Sequence, residues 1–163
     1  GGHMSVYSEV GKGTQFKVYL PAVPSVATKK AEGVAAELPE GNGETILIID
    51  DETSILEITR SMLESFNYRV LTASDGAEGV VITAKQSTDI SAVVCDMNMP
   101  LMDGSATIRA IRRILPHVPI IAASGFIRHD QAIELESGER ITFLQKPYPA
   151  ERLLNLLSEM LKG

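Results

Sequence analysis

From Glu44 onward, short apolar runs alternate with longer stretches whose apolar residues recur every three or four positions. The runs are TILIID (45–50), YRVLTA (68–73), SAVVCD (91–96), PIIAAS (119–124) and ITFLQK (141–146). Amphipathic stretches follow them: Thr53 to Phe66, Gly76 to Lys85, Ser105 to Leu115, Arg128 to Glu136 and Ala150 to Leu161. Short apolar runs bounded by turn residues read as strands and 3.6-residue spacing reads as helix, so the pattern predicts five strand–helix pairs of an α/β domain. Ile46 to Ile49 and Ala92 to Cys95 are apolar at successive positions, which suits parallel strands covered on both faces. Right-handed crossovers then favour a doubly wound sheet. Within the helices, Ile55, Ile58, Met62 and Phe66 form one predicted core stripe, and Leu153, Leu156, Leu157 and Met160 another.

The pattern differs upstream. Between Pro21 and Gly43 the chain is small, Pro, Gly and charged residues with little periodicity, which reads as a flexible linker. Before it, Phe16, Val18 and Leu20 alternate with Gln15, Lys17 and Tyr19 after a glycine-rich turn, as one strand without its sheet. A lone strand cannot bury its apolar face, so pairing between chains, and hence a dimer through this strand, is an expectation. Gly1 to Met4 read as the remnant of an expression tag. The expected organisation is a remnant at 1–4, a strand-bearing tail at 5–21, a linker at 22–43 and the α/β domain at 44–163.

Composition narrows the function. The 163 residues carry 15 basic and 21 acidic side chains, a net charge of −6, which argues against nucleic acid as the main partner. With 44% hydrophobic and 22% charged residues the chain is ordinary globular protein. No apolar run approaches the roughly 18 residues needed to cross a bilayer, so no membrane contact is expected. The single Cys95 allows no internal disulfide, and a reducing, cytoplasmic setting is the natural reading.

In open α/β sheets ligands sit at the carboxyl ends of the strands. Here those ends carry Asp50, Asp51, Asp96, Ser124 and Lys146. Three carboxylates converging on one crevice either raise a pKa or recruit a cation, and an all-oxygen cluster suits Mg²⁺ or Mn²⁺. A hydroxyl and an ammonium opposite them complete a site for a phosphoryl group. Taken singly, each residue has a plainer explanation: Asp51, Glu52 and Thr53 as helix caps, Asp103-Gly104 as a turn, Lys146-Pro147 as a strand end. Four strand ends carrying such groups together favour the functional reading. Cys95 faces away from Asp96 and reads as a small core residue.

These residues resemble the receiver (response-regulator) domain of two-component signalling, over essentially all of Glu44 to Gly163. The matching elements are IIDDE at 48–52, CDMNMPLMDG at 95–104, IIAASG at 120–125 and LQKPY at 144–148. The resemblance implies a flavodoxin-like (βα)5 sandwich with strand order 2-1-3-4-5. It implies Asp96 as phosphoacceptor, Asp50 and Asp51 as organisers of Mg²⁺, and the backbone carbonyl of Asn98 as a further ligand. Ser124 takes the place of the family's hydroxyl residue, Lys146 that of its lysine, and Phe143 that of its switch aromatic. Asn98 and Phe126, each two positions past a site residue, fall where access of hydrolytic water is tuned. Gly125, where the family often has Ala, and Phe143, where it often has Tyr, are departures that bear on the switch rather than on phosphorylation.

SEVGKGTQFKVYLP resembles the last turn and strand of the ATP-binding domain of sensor histidine kinases, though Gly11-Lys12-Gly13-Thr14 also reads as a plain hairpin turn and is not a Walker A loop. The implied parent is a hybrid histidine kinase with a C-terminal receiver, and the implied partners are the phosphohistidine of its own kinase core and a histidine phosphotransfer domain. Two rivals use part of the same chemistry. An Asp-nucleophile Mg²⁺ phosphohydrolase of the haloacid dehalogenase type would place its nucleophile at Asp50 with Glu52 two residues on. A pseudo-receiver would bind partners without taking up phosphate.

Overall fold

The structure, a computed structural model, describes residues 2–21, 38–125 and 140–162. The predicted Arg128 to Glu136 helix and Phe126 lie outside the described residues. The chain divides into two compact units, before and after Glu37.

The first unit is an antiparallel hairpin of β1 (His3–Glu9) and β2 (Gly13–Tyr19), with Val6 opposite Phe16 and Met4 opposite Val18. This corrects the expectation of a strand without a partner: Phe16 to Tyr19 pair within the chain, and His3 and Met4, read as tag remnant, belong to the partner strand. The reason is the turn. Gly11 and Gly13 take φ of +80° and +102°, and Lys12 N–H donates to the Glu9 carbonyl, so the chain reverses tightly enough for Ser5 to Tyr7 to pair.

The second unit has five strands, β3 (Thr45–Ile49), β4 (Arg69–Ala73), β5 (Ile90–Asp96), β6 (Ile120–Ser124) and β7 (Ile141–Gln145). They form one parallel sheet in the order β4-β3-β5-β6-β7. Numbered within the sheet this is 2-1-3-4-5, with the reversal between β3 and β5. The described helices are α1 (Thr53–Ser65), α2 (Gly76–Lys85), α3 (Gly104–Ile114) and α4 (Ala150–Lys162).

Alternation along the strands divides the core. Leu47, Ile49, Val93 and Cys95 pack on one face with Ile108 and Ile111 of α3, while Ile46, Ile48 and Val94 pack on the other with Leu56 and Leu63 of α1 and Leu153 and Leu157 of α4. One predicted stripe is corrected in part. The buried residues of α1 are Leu56, Thr59 and Leu63; of the predicted stripe Met62 and Phe66 pack half-buried on the same core, Ile55 is half-buried, and Ile58 is 68% exposed. Both sets satisfy helical spacing, because α1 is apolar over more than one face, and only packing on the sheet chooses between them.

The linker also ends earlier than its composition suggests. Leu38 packs against the α1–α4 core, Gly41 N–H donates to the Phe66 carbonyl at 2.8 Å, and Arg69 Nε donates to the Gly43 carbonyl at 2.8 Å. Asn67, at φ +64°, donates from its side chain to the Gly41 carbonyl at 2.7 Å. Residues 38–43 are therefore part of the α/β unit.

Candidate functional site

The end of each strand delivers its last side chain to the same edge of the sheet. Asp50 follows β3 and Asp96 closes β5, its neighbour, and both are buried. Ser124 closes β6 and is buried; Lys146 follows β7 and is half-buried. Asp51 sits exposed at the entrance to α1, and oxygens of Asp50, Asp51 and Asp96 lie within 4.8 Å of one another.

Lys146 holds the cluster together. Its Nζ donates to Asp50 Oδ2 at 2.7 Å and lies 3.0 Å from Asp96 Oδ1. Burial by itself lowers the pKa of this ammonium, but the hydrogen bonds it donates to both carboxylates, and their charges, outweigh burial and hold it above the ordinary lysine value. Three carboxylates and one ammonium leave −3 + 1 = −2 in a small volume. Such a surplus on hard oxygen donors fits a divalent cation of the Mg²⁺ or Mn²⁺ kind.

Neighbouring groups fix these side chains. Asp50 Oδ1 accepts from Glu52 N–H at 3.0 Å, and Glu52, the first boundary residue of α1, makes no capping bond through its side chain. Glu52, at the cap position of α1, thus does not cap the helix through its side chain. Asp103 is a cap: it accepts from Ala106 N–H at 2.7 Å and starts α3. Asn98 Nδ2 reaches Ser124 Oγ at 3.5 Å across the site. Phe143, on β7, is half-buried against the α2–α3 core. Cys95 is fully buried among apolar residues, and burial first, then the charges of Asp96, Asp50 and Asp103, push its thiol far above the ordinary value.

Two contributors were not legible as site residues. Gly104 presses on the acceptor strand: a Cβ there would lie 2.4 Å from the Asp96 carbonyl oxygen and 2.6 Å from Met97 Cα. Its signal is a glycine immediately after a helix-capping Asp. Tyr148 lines an apolar groove with Lys146 and Pro147, and burial raises its phenol above the ordinary tyrosine value, the charge of Lys146 opposing the rise and those of Asp50 and Asp96 adding to it.

Comparison with known proteins agrees with this geometry. The response regulator receiver domain model matches residues 46–158, and the chain belongs to that family. Sensor kinase CckA of Brucella abortus is 32% identical over 171 aligned residues, covering 99% of this chain and 18% of that protein. A receiver domain from Clostridium thermocellum, known from its crystal structure, is 34% identical with a TM-score of 0.68, covering 73% of this chain and 94% of that one. The receiver domain of a sensor histidine kinase from Pseudomonas aeruginosa PAO1, solved with a magnesium ion in its active-site cleft, is 28% identical with a TM-score of 0.66, covering 74% of this chain and 99% of that one. The chain spans about a fifth to a quarter of the length of the curated relatives it matches. It is a receiver domain of two-component signalling with the flavodoxin-like fold, and its acidic pocket is formed by Asp50, Asp51 and Asp96. Among the described residues no helix is long and apolar enough to cross a membrane.

Proposed function

We propose that this domain accepts a phosphoryl group from a phosphohistidine onto Asp96 as one step of a phosphorelay. The observation that carries the reading is the position of Lys146 Nζ, 3.0 Å from Asp96 Oδ1 and 2.7 Å from Asp50 Oδ2, beside a third carboxylate. An Asp96 oxygen attacks phosphorus as the P–N bond breaks; the imidazole nitrogen keeps the bonding pair and the phosphoryl group arrives as an acyl phosphate. Lys146 neutralises the oxygens as charge shifts onto them. Asp50, Asp51, Asp96 and the Asn98 carbonyl would hold Mg²⁺ or Mn²⁺, which when bound supplies further charge neutralisation. Ser124 then hydrogen-bonds the new phosphoryl oxygens and Phe143 moves into the space vacated, while Asn98 and Phe126 tune access of the hydrolytic water.

The match to a sensor kinase along nearly the whole chain supports a hybrid histidine kinase as parent, acting in the cytoplasm, with the hairpin as the end of its ATP-binding domain. The hairpin's apolar face, with Val6 55% and Phe16 63% exposed, would pack on the rest of that domain and otherwise favours self-association. The partners are then the phosphohistidine of the kinase core and of a histidine phosphotransfer domain.

The test is intact mass after incubation with Mg²⁺ and acetyl phosphate, for wild type and Asp96→Asn. One Mg²⁺-dependent, hydroxylamine-labile adduct, absent from the variant, is expected. No adduct on folded wild type would make the domain a partner-binding pseudo-receiver, and steady phosphate release from many esters would make it a hydrolase.

A further inference from the structure

The outer surface of α2 and α3 carries an apolar strip edged by unpaired cations. Gly76 lets the two helices approach: a Cβ there would lie 2.1 Å from Thr107 Oγ1. On α2, Ala77, Val81 and Ala84 share one exposed face, and on α3 Ala106 and Ala110, one turn apart, are half-buried. Arg109 and Arg113, also one turn apart on α3, are exposed, and Lys85 ends α2. Among the described residues no carboxylate pairs with these three, although the chain has 21 acidic side chains to 15 basic. By contrast, Arg60 of α1 is paired with Glu64 at 2.9 Å.

The fold gives no reason for this charge. Between Gly104 and Ile114 α3 has no acid, and like charges one turn apart work against a helix. The helix dipole favours a cation at Arg113, in the last turn, but not at Arg109 in the middle. Arg112 already serves the helix end, donating to the Pro116 and Val118 carbonyls at 2.8 and 2.7 Å. An apolar centre with arginines at its edge is the anatomy of a protein interface. Its complement is a helix with apolar residues flanked by carboxylates, and the chain displays one. On α1, Ile58 is 68% exposed, and Glu57 and Glu64 are exposed beside it. Leu56 and Leu63 of α1 pack on one face of the sheet and Ile108 and Ile111 of α3 on the other, so the two surfaces of one chain point apart while those of two chains can meet.

We propose that α1 of one copy docks on the α2–α3 strip of a second copy, with Ile58 on the alanines and Glu57 and Glu64 against Arg109 and Arg113. An extended polyanion such as nucleic acid or an anionic bilayer fits less well, because outside α3 the chain carries −6 − 3 = −9. Since the two surfaces differ, the contact is head-to-tail, each added copy leaves one of each open, and growth continues past two. A dimer through the apolar face of the hairpin would pair like with like and stop at two. In the head-to-tail assembly α1, with the apolar groove along it, is covered in every copy but the last.

Sedimentation velocity of the whole 163-residue chain over a concentration series is the test. One helix face is a small interface, so wild type should associate with a Kd of about 0.1 mM and more weakly in added salt. Its average mass should pass that of a dimer at the highest concentrations. The double variants Arg109→Glu/Arg113→Glu and Glu57→Arg/Glu64→Arg should each associate at least about tenfold more weakly, and Arg109→Gln/Arg113→Gln should weaken association too. All the substituted side chains are exposed, so melting should stay within about 3 °C of wild type. Mixed, the two charge-reversed variants should regain association, because α1 of each is opposite in charge to the strip of the other. Their net charges, −6 − 4 = −10 and −6 + 4 = −2, are both negative, so no general attraction drives the mixture. A wild type that stays monomeric overturns the proposal, as does a mass that levels off at the dimer. Association kept by every variant overturns it in favour of the hairpin, and a mixture no stronger than its components overturns the pairing of α1 with α2–α3. A monomer that sediments with phosphatidylglycerol vesicles, and loses this in Arg109→Gln/Arg113→Gln, would replace the second copy by a membrane.

Discussion

Replacing Gly104 by Ala tests whether the acceptor is positioned by backbone packing. The added Cβ would fall 2.4 Å from the Asp96 carbonyl oxygen, 2.6 Å from Met97 Cα and 2.9 Å from Met97 Sδ. Ordinary contacts lie near 3.5–4.0 Å, so strand end and helix must separate by about 1 Å. The Met97 side chain can swing aside, but the first two atoms are backbone at the end of a buried strand. Overpacking of this kind costs about 1–3 kcal/mol, and rigid backbone on both sides places Gly104 at the upper end. Alanine returns at most about 1 kcal/mol through helix propensity, leaving a net loss of about 2 kcal/mol. For a domain of this size that lowers Tm by about 6–12 °C. Urea and thermal unfolding read the stability, and acetyl phosphate labelling followed by intact mass reads the acceptor, which should load more slowly because its own carbonyl is displaced. Gly125→Ala is the control: a Cβ there meets no atom of the described residues within 4 Å, and stability should change by less than about 0.5 kcal/mol. A Gly104→Ala variant as stable as wild type, loading Asp96 at the same rate, would refute the reasoning.

Asn67→Ala should destabilise the domain by about 1–2 kcal/mol in urea, since it loses both the bond to the Gly41 carbonyl and a side chain that tolerates φ +64°; Asn67→Gly, free of the backbone strain, should lose less. Cys95 should ignore a disulfide reagent at pH 8 in the native protein and react within minutes in denaturing urea, because burial keeps its thiol protonated. Raised native pKa values of Lys146 and Tyr148 mean that their contributions are complete below the unfolded values and are lost as pH rises through the native ones. Urea midpoints should therefore fall above about pH 10, and less steeply in Tyr148→Phe.

The architecture was legible because a parallel sheet covered on both faces needs apolar runs such as Ile46–Ile49, and those runs end where the chain turns polar. Strand order was legible only through resemblance: nothing in five similar runs says that β3 lies between β4 and β5. Asp50, Asp51, Asp96, Ser124 and Lys146 could be named from position, since strand ends in such a sheet share one edge. The hairpin was half missed, because Met4 to Tyr7 look unremarkable until Phe16 and Val18 are laid beside them.

By itself, then, the sequence determined the described strands and helices of the α/β unit and which polar groups stand at the strand ends, because both follow from local periodicity and turn chemistry. Tertiary structure alone decided that Leu56 rather than Ile58 faces the sheet, that Lys146 bridges Asp50 and Asp96 from 96 and 50 residues away, and that Gly104 must lack a side chain. Those outcomes depend on distances between segments far apart in the chain, which close packing sets and no local pattern encodes.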